Sequence, residues 1–364
     1  MIEVYGRVAP GFEAVREEFG RLVRSEAVEG GSQLAVYRHG LPVVDLWVGE
    51  QQAVTSVFSV SKGAAFLVAA LLVQEGRLEL DAPARSLPFP LTVRELLGHR
   101  SGLIGVAGLS VAEAADDRVL AARLTGTAPF WAPGTATGYH ALTIGALLDA
   151  ELRAVTGRSI REWYEERLRV PYDIDLFLGL PEDQRHRFRP VFPAPGPAWI
   201  PEPGSAAAAT LGAFDLVTFG NSAEALAGGQ ASAGGVGSAR GVARMYAAAI
   251  GALDGRPALL RPETIREFAA PYSLGVDLVI GEADHYALGF ENPATRFPWA
   301  SRHTLGHSGA AGSVGWGDFE NGIAYGYVRR GFGGPDTGTL SAGVLAAARS
   351  ANSSSQSGTI AGIA

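Results

Sequence analysis

The stretch Lys62–Val73 places the strongest constraint on how this chain folds. It consists almost entirely of Ala, Leu, Val and Phe, and Gly76 follows it closely. A run so long and so rich in alanine favours a helix over a strand, and a glycine just beyond it is typical of a helix end. A helix that is apolar on all sides has to be covered on all sides. We therefore predict a buried helix in the core of a globular protein.

Strand-like runs near both ends of the chain predict two β-hairpins. The runs and their turns are Gln33–Tyr37 and Val43–Val48 around His39–Pro42, and Ser313–Phe319 and Ile323–Arg329 around Glu320–Gly322. Their β-branched and aromatic content suits a sheet, and the Asn-Gly pair of the second turn suits a tight hairpin. Residues 12–23 precede the first hairpin and have apolar positions at helical spacing, which predicts an amphipathic helix.

From about residue 81 to about residue 280 the pattern is mostly helical, with Gly and Pro between the segments. Examples are Val93–Leu97, Leu142–Val155 and Ala239–Ile250. Prolines recur between Pro190 and Pro203 and predict a long irregular loop, which either edges a binding site or is a plain surface connection.

These patterns predict an α/β (α+β) fold in two parts. Residues 1–80 and 285–350 would form an antiparallel sheet with flanking helices, so that both ends of the chain build one subdomain. Residues 81–284 would form an inserted, mostly helical subdomain, and a site would lie in the cleft between the two. The tail, residues 351–364, is expected to be flexible.

Composition argues against several classes of partner. The chain has 30 Lys and Arg residues and 37 Asp and Glu residues, which gives a net charge of −7. Because the sequence also has no cluster of basic residues that could follow a phosphate backbone, we expect no nucleic-acid partner. No apolar run reaches the roughly 20 residues that cross a bilayer, and no basic start with a following apolar stretch begins the chain. We therefore expect no membrane partner and a cytoplasmic location. The sequence leaves the oligomeric state open.

The amino-acid composition also restricts the metal sites and nucleophiles that the protein can have. There is no cysteine, which excludes disulfides, thiolate metal sites and cysteine nucleophiles. His303 and His307 have the spacing of a ligand pair, but their surroundings are typical of an approach to a strand. We expect neither a metal nor another cofactor.

Lys62 is the only lysine in the chain, and every other basic residue is arginine. Arginine stays protonated at any working pH, whereas a buried lysine can lose its proton and act as a base. Ser59 precedes it by three residues, so the hydroxyl and the amine would share one helix face at a helix start. We predict that Ser59 is a nucleophile activated by Lys62. Ser61 is the rival, but it points to a different face and is expected to cap or pack.

Two further segments supply candidate partners. Tyr139 follows a Gly-rich turn just before a helix, and a phenolate near a cationic lysine can relay the serine proton. A half-buried core tyrosine is the alternative for this residue. Gly306–Ala310 precedes the last hairpin, where small residues would let a substrate approach a backbone edge. His307 can equally be structural.

The chain resembles the serine β-lactamase and penicillin-binding-protein superfamily. The likeness is closest to class C β-lactamases and their esterase relatives, the family VIII carboxylesterases. Three motifs occur in the family's order, namely Ser59–Lys62, Tyr139–Ala141 and His307–Gly309. Supporting stretches are Glu75–Asp81, Leu96–Leu103 and Tyr286–Phe290, so the resemblance runs from about residue 30 to about residue 330. It implies a β-lactamase/transpeptidase-like fold, and His99 within it is expected to be structural.

The resemblance implies a role for each matching residue. Ser59 would be acylated, and Lys62 and Tyr139 would share the proton transfer. The backbone N–H groups of Ser59 and Ala310 would form the oxyanion hole. The substrate-binding residues would be His307, Ser308 and Gly309.

Two departures from the family's pattern bear on the substrate. Ala141 stands where the family has an asparagine that holds a substrate amide, and His307 stands where it has a lysine that attracts a substrate carboxylate. We therefore expect a carboxylesterase that acts on small-molecule esters. The alternative is an acyltransferase that passes the same acyl group to an amine or alcohol acceptor. β-Lactamase activity, D-aminopeptidase activity or a sensor that stays acylated is less favoured.

Overall fold

The computed structural model describes residues 2–26, 31–195, 200–212, 215–272, 275–283, 286–334 and 337–360. Its strands are β1 Tyr5–Val8, β2 Ser32–Arg38, β3 Leu41–Trp47, β4 Thr55–Ser56, β5 Leu176–Leu178, β6 Gly235–Gly237, β7 Thr304–Ser308, β8 Val314–Asp318 and β9 Ile323–Arg329. Its α-helices are α1 Glu13–Ser25, α2 Ser61–Gln74, α3 Val93–Leu97, α4 Val111–Ala115, α5 Asp117–Thr125, α6 Thr143–Thr156, α7 Ile160–Tyr164, α8 Ala206–Leu211, α9 Leu216–Asn221, α10 Ala223–Gly228, α11 Ala239–Ile250, α12 Pro262–Ala269, α13 Pro293–Arg296 and α14 Gly338–Ile360. The 3₁₀ turns are Phe58–Val60 and Glu182–Arg187, and Glu165–Arg169 is a π-helical turn.

Both predicted hairpins are present, and they join in one sheet. The larger sheet has six antiparallel strands in the order β1-β3-β2-β9-β8-β7. β2 and β9 pair along their whole length, from Ser32 opposite Arg329 to Arg38 opposite Ile323. This pairing confirms the prediction of an antiparallel sheet built from both ends of the chain. β7 is one of the two outer strands and carries His307 and Ser308 of the predicted third motif.

Helices cover both faces of this sheet. Tyr325 and Tyr327 of β9 lie in an apolar cluster with residues of α1 and α14. Ala324 and Val328, which alternate with them, join the cluster that contains α2 and α11. α11 lies very close to the sheet, since a Cβ at Gly326 would overlap the backbone at the start of that helix. α11 belongs to residues 81–284 of the predicted helical subdomain, and the subdomain limits stay a prediction.

The apolar segment forms the predicted buried helix. α2 is covered on all sides, and its residues from Ser61 to Leu72 are all buried. Near its middle, the Phe66 ring meets the Phe290 ring edge-on at 5.5 Å. Gly289 adopts a φ of +81° against that ring, where a side chain would collide. The core therefore packs against α2 along the length of the helix. Lys62 lies in the first turn of α2.

A second, smaller sheet was not predicted. β4, β6 and β5 form it in the order β4-β6-β5, with β6 in the centre. Strands of two or three residues are too short to show alternation, and the central one reads Gly-Val-Gly. The sheet matters because β4 ends just before Ser59 and the N–H of Val57 donates to the Gly235 carbonyl at 3.0 Å.

Other expectations have mixed outcomes. α3 and α11 have the predicted bounds, and α6 is shifted by one residue. The proline-rich stretch has no helix or strand in its described part, and residues 196–199 lie outside the described residues. α14 continues through Ile360, and residues 361–364 of the predicted tail lie outside the described residues, so the flexibility of the tail stays a prediction.

No helix in the described part of the chain is long and apolar enough to cross a membrane. The cytoplasmic location stays a prediction.

Replacing Phe66 with Ala tests the central place of α2. The substitution leaves a cavity against Phe290, so we expect the free energy of unfolding to fall by about 3–5 kcal/mol. Denaturant unfolding followed by fluorescence and circular dichroism measures the change. Val170→Ala is the control, because Val170 is 61% exposed and its removal should change stability little. Equal effects of the two substitutions would contradict this account of the core.

Candidate active site

Ser59 lies in the 3₁₀ turn that leads into α2. Phe58, just before it, adopts a φ of +49°, a left-handed conformation that costs a non-glycine residue about 1–3 kcal/mol. The surroundings hold it there: the Phe58 ring is buried and meets the Phe332 ring edge-on at 5.3 Å. Ser61 fixes the other side of the turn, because its hydroxyl accepts the Gly235 N–H at 2.9 Å and donates to the Phe58 carbonyl. Ser61 thus packs as predicted and faces away from Lys62.

The Lys62 amine is enclosed by three oxygen atoms. Its Nζ lies 3.1 Å from Ser59 Oγ, 2.6 Å from the Ala141 carbonyl oxygen and 3.0 Å from the Ser232 carbonyl oxygen. The side chain has no exposure to solvent. The amine is therefore held in one place, directly beside the hydroxyl that the sequence pairs with it.

Tyr139 completes the group around Ser59. Its phenol donates to Ser59 Oγ at 2.7 Å. The ring stacks on Tyr286 with 5.6 Å between centroids, and Lys62 Nζ lies 5.0 Å from the centre of the Tyr139 ring. Its backbone N–H donates to the Asp277 carboxylate at 3.1 Å, which anchors the loop before α6. The structure thus brings together the three residues that sequence analysis singled out as catalytic candidates.

Burial sets the charge of these groups. It lowers the pKa of Lys62 well below its usual value, and the negative charge of Glu291 opposes this only in part. Burial raises the pKa of Tyr139 above its usual value, and Glu291 adds to the rise. The electrostatics therefore favour a neutral amine, as a base at Lys62 requires, beside a neutral phenol rather than the phenolate considered for Tyr139. The difference at Tyr139 arises because the sequence does not show how completely the phenol is desolvated.

A neutral amine also fits the hydrogen bonds. It has two N–H bonds and one lone pair. The two N–H bonds match the carbonyl oxygens of Ala141 and Ser232, which leaves the lone pair facing the Ser59 hydroxyl. This arrangement can accept the serine proton on Lys62 while the Tyr139 phenol donates to the same oxygen.

Ser59 opens into a cavity of about 300 Å³. Its wall is largely apolar and includes Phe58, Leu142, Leu211, Leu216 and Ile280. Ser308, the last residue of β7, and Gly309 and Ala310, which follow it, also line the cavity. Gly309 lies against the turn before Ser59, since a Cβ there would overlap the Val57 carbonyl oxygen. This close approach brings the backbone of Ala310 to the same cavity as Ser59, where the predicted oxyanion hole would lie.

His307 occupies a less exposed position than its predicted role requires. Its side chain is 1% exposed, and its Nδ1 lies 2.7 Å from the Ser308 carbonyl oxygen. The ring stacks on Tyr139 with 6.0 Å between centroids. It borders a second cavity of about 460 Å³ rather than the one that Ser59 lines. A direct substrate contact by His307 therefore stays a prediction.

Two other histidines lie behind Tyr139. His99 is fully buried, and its Nδ1 accepts the backbone N–H of His140 at 3.2 Å, an arrangement that agrees with the expected structural role. Burial lowers the pKa of His140 to about 4, so this ring stays neutral near pH 7. In the described part of the chain, no three His, Asp or Glu side chains are placed to share a metal ion.

Sequence reasoning missed three contributors to the site. Ser232 acts through its carbonyl oxygen, which leaves no side-chain signal. Asp277 anchors Tyr139 from a loop with no recognisable pattern. Glu291 accepts hydrogen bonds from Ser308 and directly follows the stretch Tyr286–Phe290, so its position beside a matching segment was the one available signal.

Comparisons with known proteins agree with this site and fold. The family model described as Beta-lactamase matches residues 17–349. The chain is 30% identical over 375 residues to the esterase/beta-lactamase LipL of Mycobacterium tuberculosis (strain ATCC 25618 / H37Rv), covering 89% of this chain and 82% of LipL. The chain therefore belongs to the β-lactamase family, which confirms the resemblance inferred from the three motifs.

Two solved structures are similar over nearly their whole length. EstA from Arthrobacter nitroguajacolicus Rue61a has 38% sequence identity and a TM-score of 0.87, with 94% of this chain and 98% of EstA covered. A family VIII carboxylesterase has 26% identity and a TM-score of 0.83, with 96% of this chain and 99% of that one covered. They confirm the predicted β-lactamase/transpeptidase-like fold.

The pH dependence of the reaction tests the charge of Lys62. A base must be neutral to accept a proton, so if Lys62 is the base, activity should rise with pH through its lowered pKa and be lost as the pH falls through it. We expect this rising limb in kcat/KM for a neutral ester well below pH 10.5, the ordinary value for lysine. His186→Gln changes an exposed histidine that does not line the cavity, and it should leave the limb in place. A limb near the ordinary lysine value, or one that moves with His186, would contradict the assignment.

Proposed function

We propose that this protein is a serine hydrolase of the carboxylesterase type, which forms an acyl-enzyme on Ser59. The observation that carries the proposal is the position of Ser59 Oγ, 3.1 Å from the Lys62 amine and 2.7 Å from the Tyr139 phenol, at the wall of an apolar cavity. A serine hydroxyl needs such a base before it can attack a carbonyl carbon. Relatives named as an esterase/beta-lactamase and as a family VIII carboxylesterase support the same reaction class.

In the proposed reaction, Ser59 Oγ attacks the ester carbonyl carbon while its proton passes to Lys62. The backbone N–H groups of Ser59 and Ala310 hold the negative charge that develops on the carbonyl oxygen. The bond to the alcohol oxygen then breaks, and the alcohol leaves with a proton supplied through Lys62 and Tyr139. Water then attacks the acyl carbon while one of its protons passes to Lys62. The bond between this carbon and Ser59 Oγ breaks, the acid departs, and the proton returns from Lys62 to Ser59 Oγ.

Three features favour an ester over an amide or a β-lactam. Ala141 offers no side-chain amide to a substrate amide. His307 is buried against Tyr139 and does not present a cation to the cavity of Ser59. The cavity wall is mainly apolar, which suits a short acyl chain or a small alcohol.

A covalent label tests the nucleophile. Treatment with a serine-reactive phosphonate, followed by peptide mass spectrometry, should give a single adduct on Ser59 and none in Ser59→Ala. Ser61→Ala is the matched control, since Ser61 is buried two residues away but bonds to Phe58 and Gly235 instead of Lys62. It should still be labelled at Ser59. An adduct on any other serine would overturn the proposal.

Replacing Lys62 with Arg tests the base. An arginine keeps its proton, so we expect kcat/KM for a neutral ester to fall by about 10²- to 10⁴-fold. Circular dichroism and the unfolding midpoint show whether the fold is retained. A folded variant with wild-type activity would mean that proton removal does not depend on Lys62.

Product analysis separates hydrolysis from acyl transfer. An activated ester is supplied with and without alcohol and amine acceptors, and the acyl group is recovered as free acid or as a conjugate. Free acid in both conditions supports the carboxylesterase assignment. A conjugate as the main product would favour the acyltransferase alternative, which uses the same acyl-enzyme.

A further inference from the structure

Glu291 accepts hydrogen bonds from both donors of Ser308, at the wall of the cavity that Ser59 lines. One carboxylate oxygen accepts the Ser308 hydroxyl at 2.6 Å, and the other accepts the Ser308 backbone N–H at 3.1 Å. The backbone N–H of Glu291 also donates to the Gly306 carbonyl at 3.0 Å. The segment that carries Glu291 is thus fastened along the outer edge of β7. Both donors of Ser308 are directed to a carboxylate that belongs to the protein.

The charge of Glu291 reaches the reacting groups. Its side chain is 15% exposed and lies in the wall shared by the Ser59 cavity and the neighbouring one. It raises the pKa of Tyr139 and opposes the fall in the pKa of Lys62. Charges act strongly on one another where water is largely excluded. A substrate carboxylate that enters beside Ser308 would therefore be repelled by the negative charge of Glu291. It would also find both hydrogen-bond donors of Ser308 already bonded to Glu291.

Among the described residues, Glu282 and Arg296 are the other charged ones that line the Ser59 cavity. Arg296 Nε lies 3.3 Å from Glu282 Oε2, and both side chains are substantially exposed, at 38% and 46%. Solvent and this mutual pairing weaken their effect on a bound substrate. Glu291, which is far less exposed, is the charge closest to the third motif.

We propose that Glu291 sets the charge specificity of this site: it excludes esters that carry a carboxylate near the scissile bond and restricts the site to neutral or amine-bearing esters. The inference rests on the proposed function, since it takes Ser59 as the group that is acylated. It goes further by naming the substrate class and the residue that selects it.

Three fluorophosphonates that differ in the charge of one chain can test this selection. Their chains are butyl, carboxybutyl and aminobutyl. Labelling forms a bond between Ser59 Oγ and phosphorus, breaks the P–F bond and releases fluoride, while the hydroxyl proton passes to the base. Intact-mass spectrometry gives the rate of labelling without requiring turnover. We expect the wild-type protein to react with the carboxybutyl probe at least about tenfold more slowly than with the butyl probe.

Glu291→Gln should remove most of this discrimination. The glutamine oxygen can accept the Ser308 backbone N–H while the glutamine NH2 donates to the Ser308 hydroxyl oxygen, so both contacts can be kept while the charge is lost. We expect the ratio of butyl to carboxybutyl rates to fall to within about threefold. Glu282→Gln is the matched control at the same cavity and should leave a ratio close to that of the wild type.

Each outcome decides between the proposals. Equal wild-type rates for the butyl and carboxybutyl probes overturn the role of Glu291, whatever the variants do. A wild-type ratio that persists in Glu291→Gln, or one that Glu282→Gln removes as fully, also overturns it. Failure of all three probes to label Ser59 instead overturns the proposed function. Discrimination in the wild type that is lost only in Glu291→Gln supports the inference.

Discussion

The burial of a single amine is the constraint on which the rest of the site depends. Lys62 Nζ has no exposure and is enclosed by Ser59 Oγ and by the carbonyl oxygens of Ala141 and Ser232. A buried cation is costly, so the enclosure favours the neutral amine, which needs two acceptors and one donor. These groups come from three separate parts of the chain. The first turn of α2, the loop before α6 and the turn before β6 must therefore be held together for the amine to stay dry and oriented.

The contacts that hold Ser59 beside Lys62 involve residues whose backbone has little conformational freedom. Gly235 bonds to both sides of the turn that carries Ser59, through Val57 and Ser61. Phe58 stays in a strained conformation because its ring is locked in the core. A well-packed interior resists small displacements, so Ser59 Oγ and Lys62 Nζ keep hydrogen-bond distance. The same burial explains why lysine persists in a chain that otherwise uses arginine, since a guanidinium does not lose its proton under such conditions.

The sequence predicted the parts of this structure that leave a periodic or chemical signature. The run after Lys62 predicted α2, and alternating runs predicted β2, β3, β8 and β9. The smaller sheet was missed because Gly235–Gly237 and its partners are too short to show a period. Ser59, Lys62 and Tyr139 were found as side chains in recognisable motifs. The Ser232 carbonyl, the Asp277 anchor and the buried position of His307 depend on tertiary contacts that no local pattern records.

The proposed nucleophile and base lie on different elements from the groups proposed to recognise a substrate. Ser59 and Lys62 are fixed by α2 and its preceding turn, whereas Ser308 and its partner Glu291 lie at the outer edge of the sheet. Because β7 is an outer strand, the segment of Glu291 that pairs with its outer side at Gly306 can change without disturbing the strand pairs inside the sheet. Changes there alter charge and shape at the cavity wall while the buried amine keeps its three neighbours. Under the proposed function, substrate preference can therefore change at the sheet edge without rebuilding the surroundings of Lys62, and Glu291 lies where such a change would act on the bound ester.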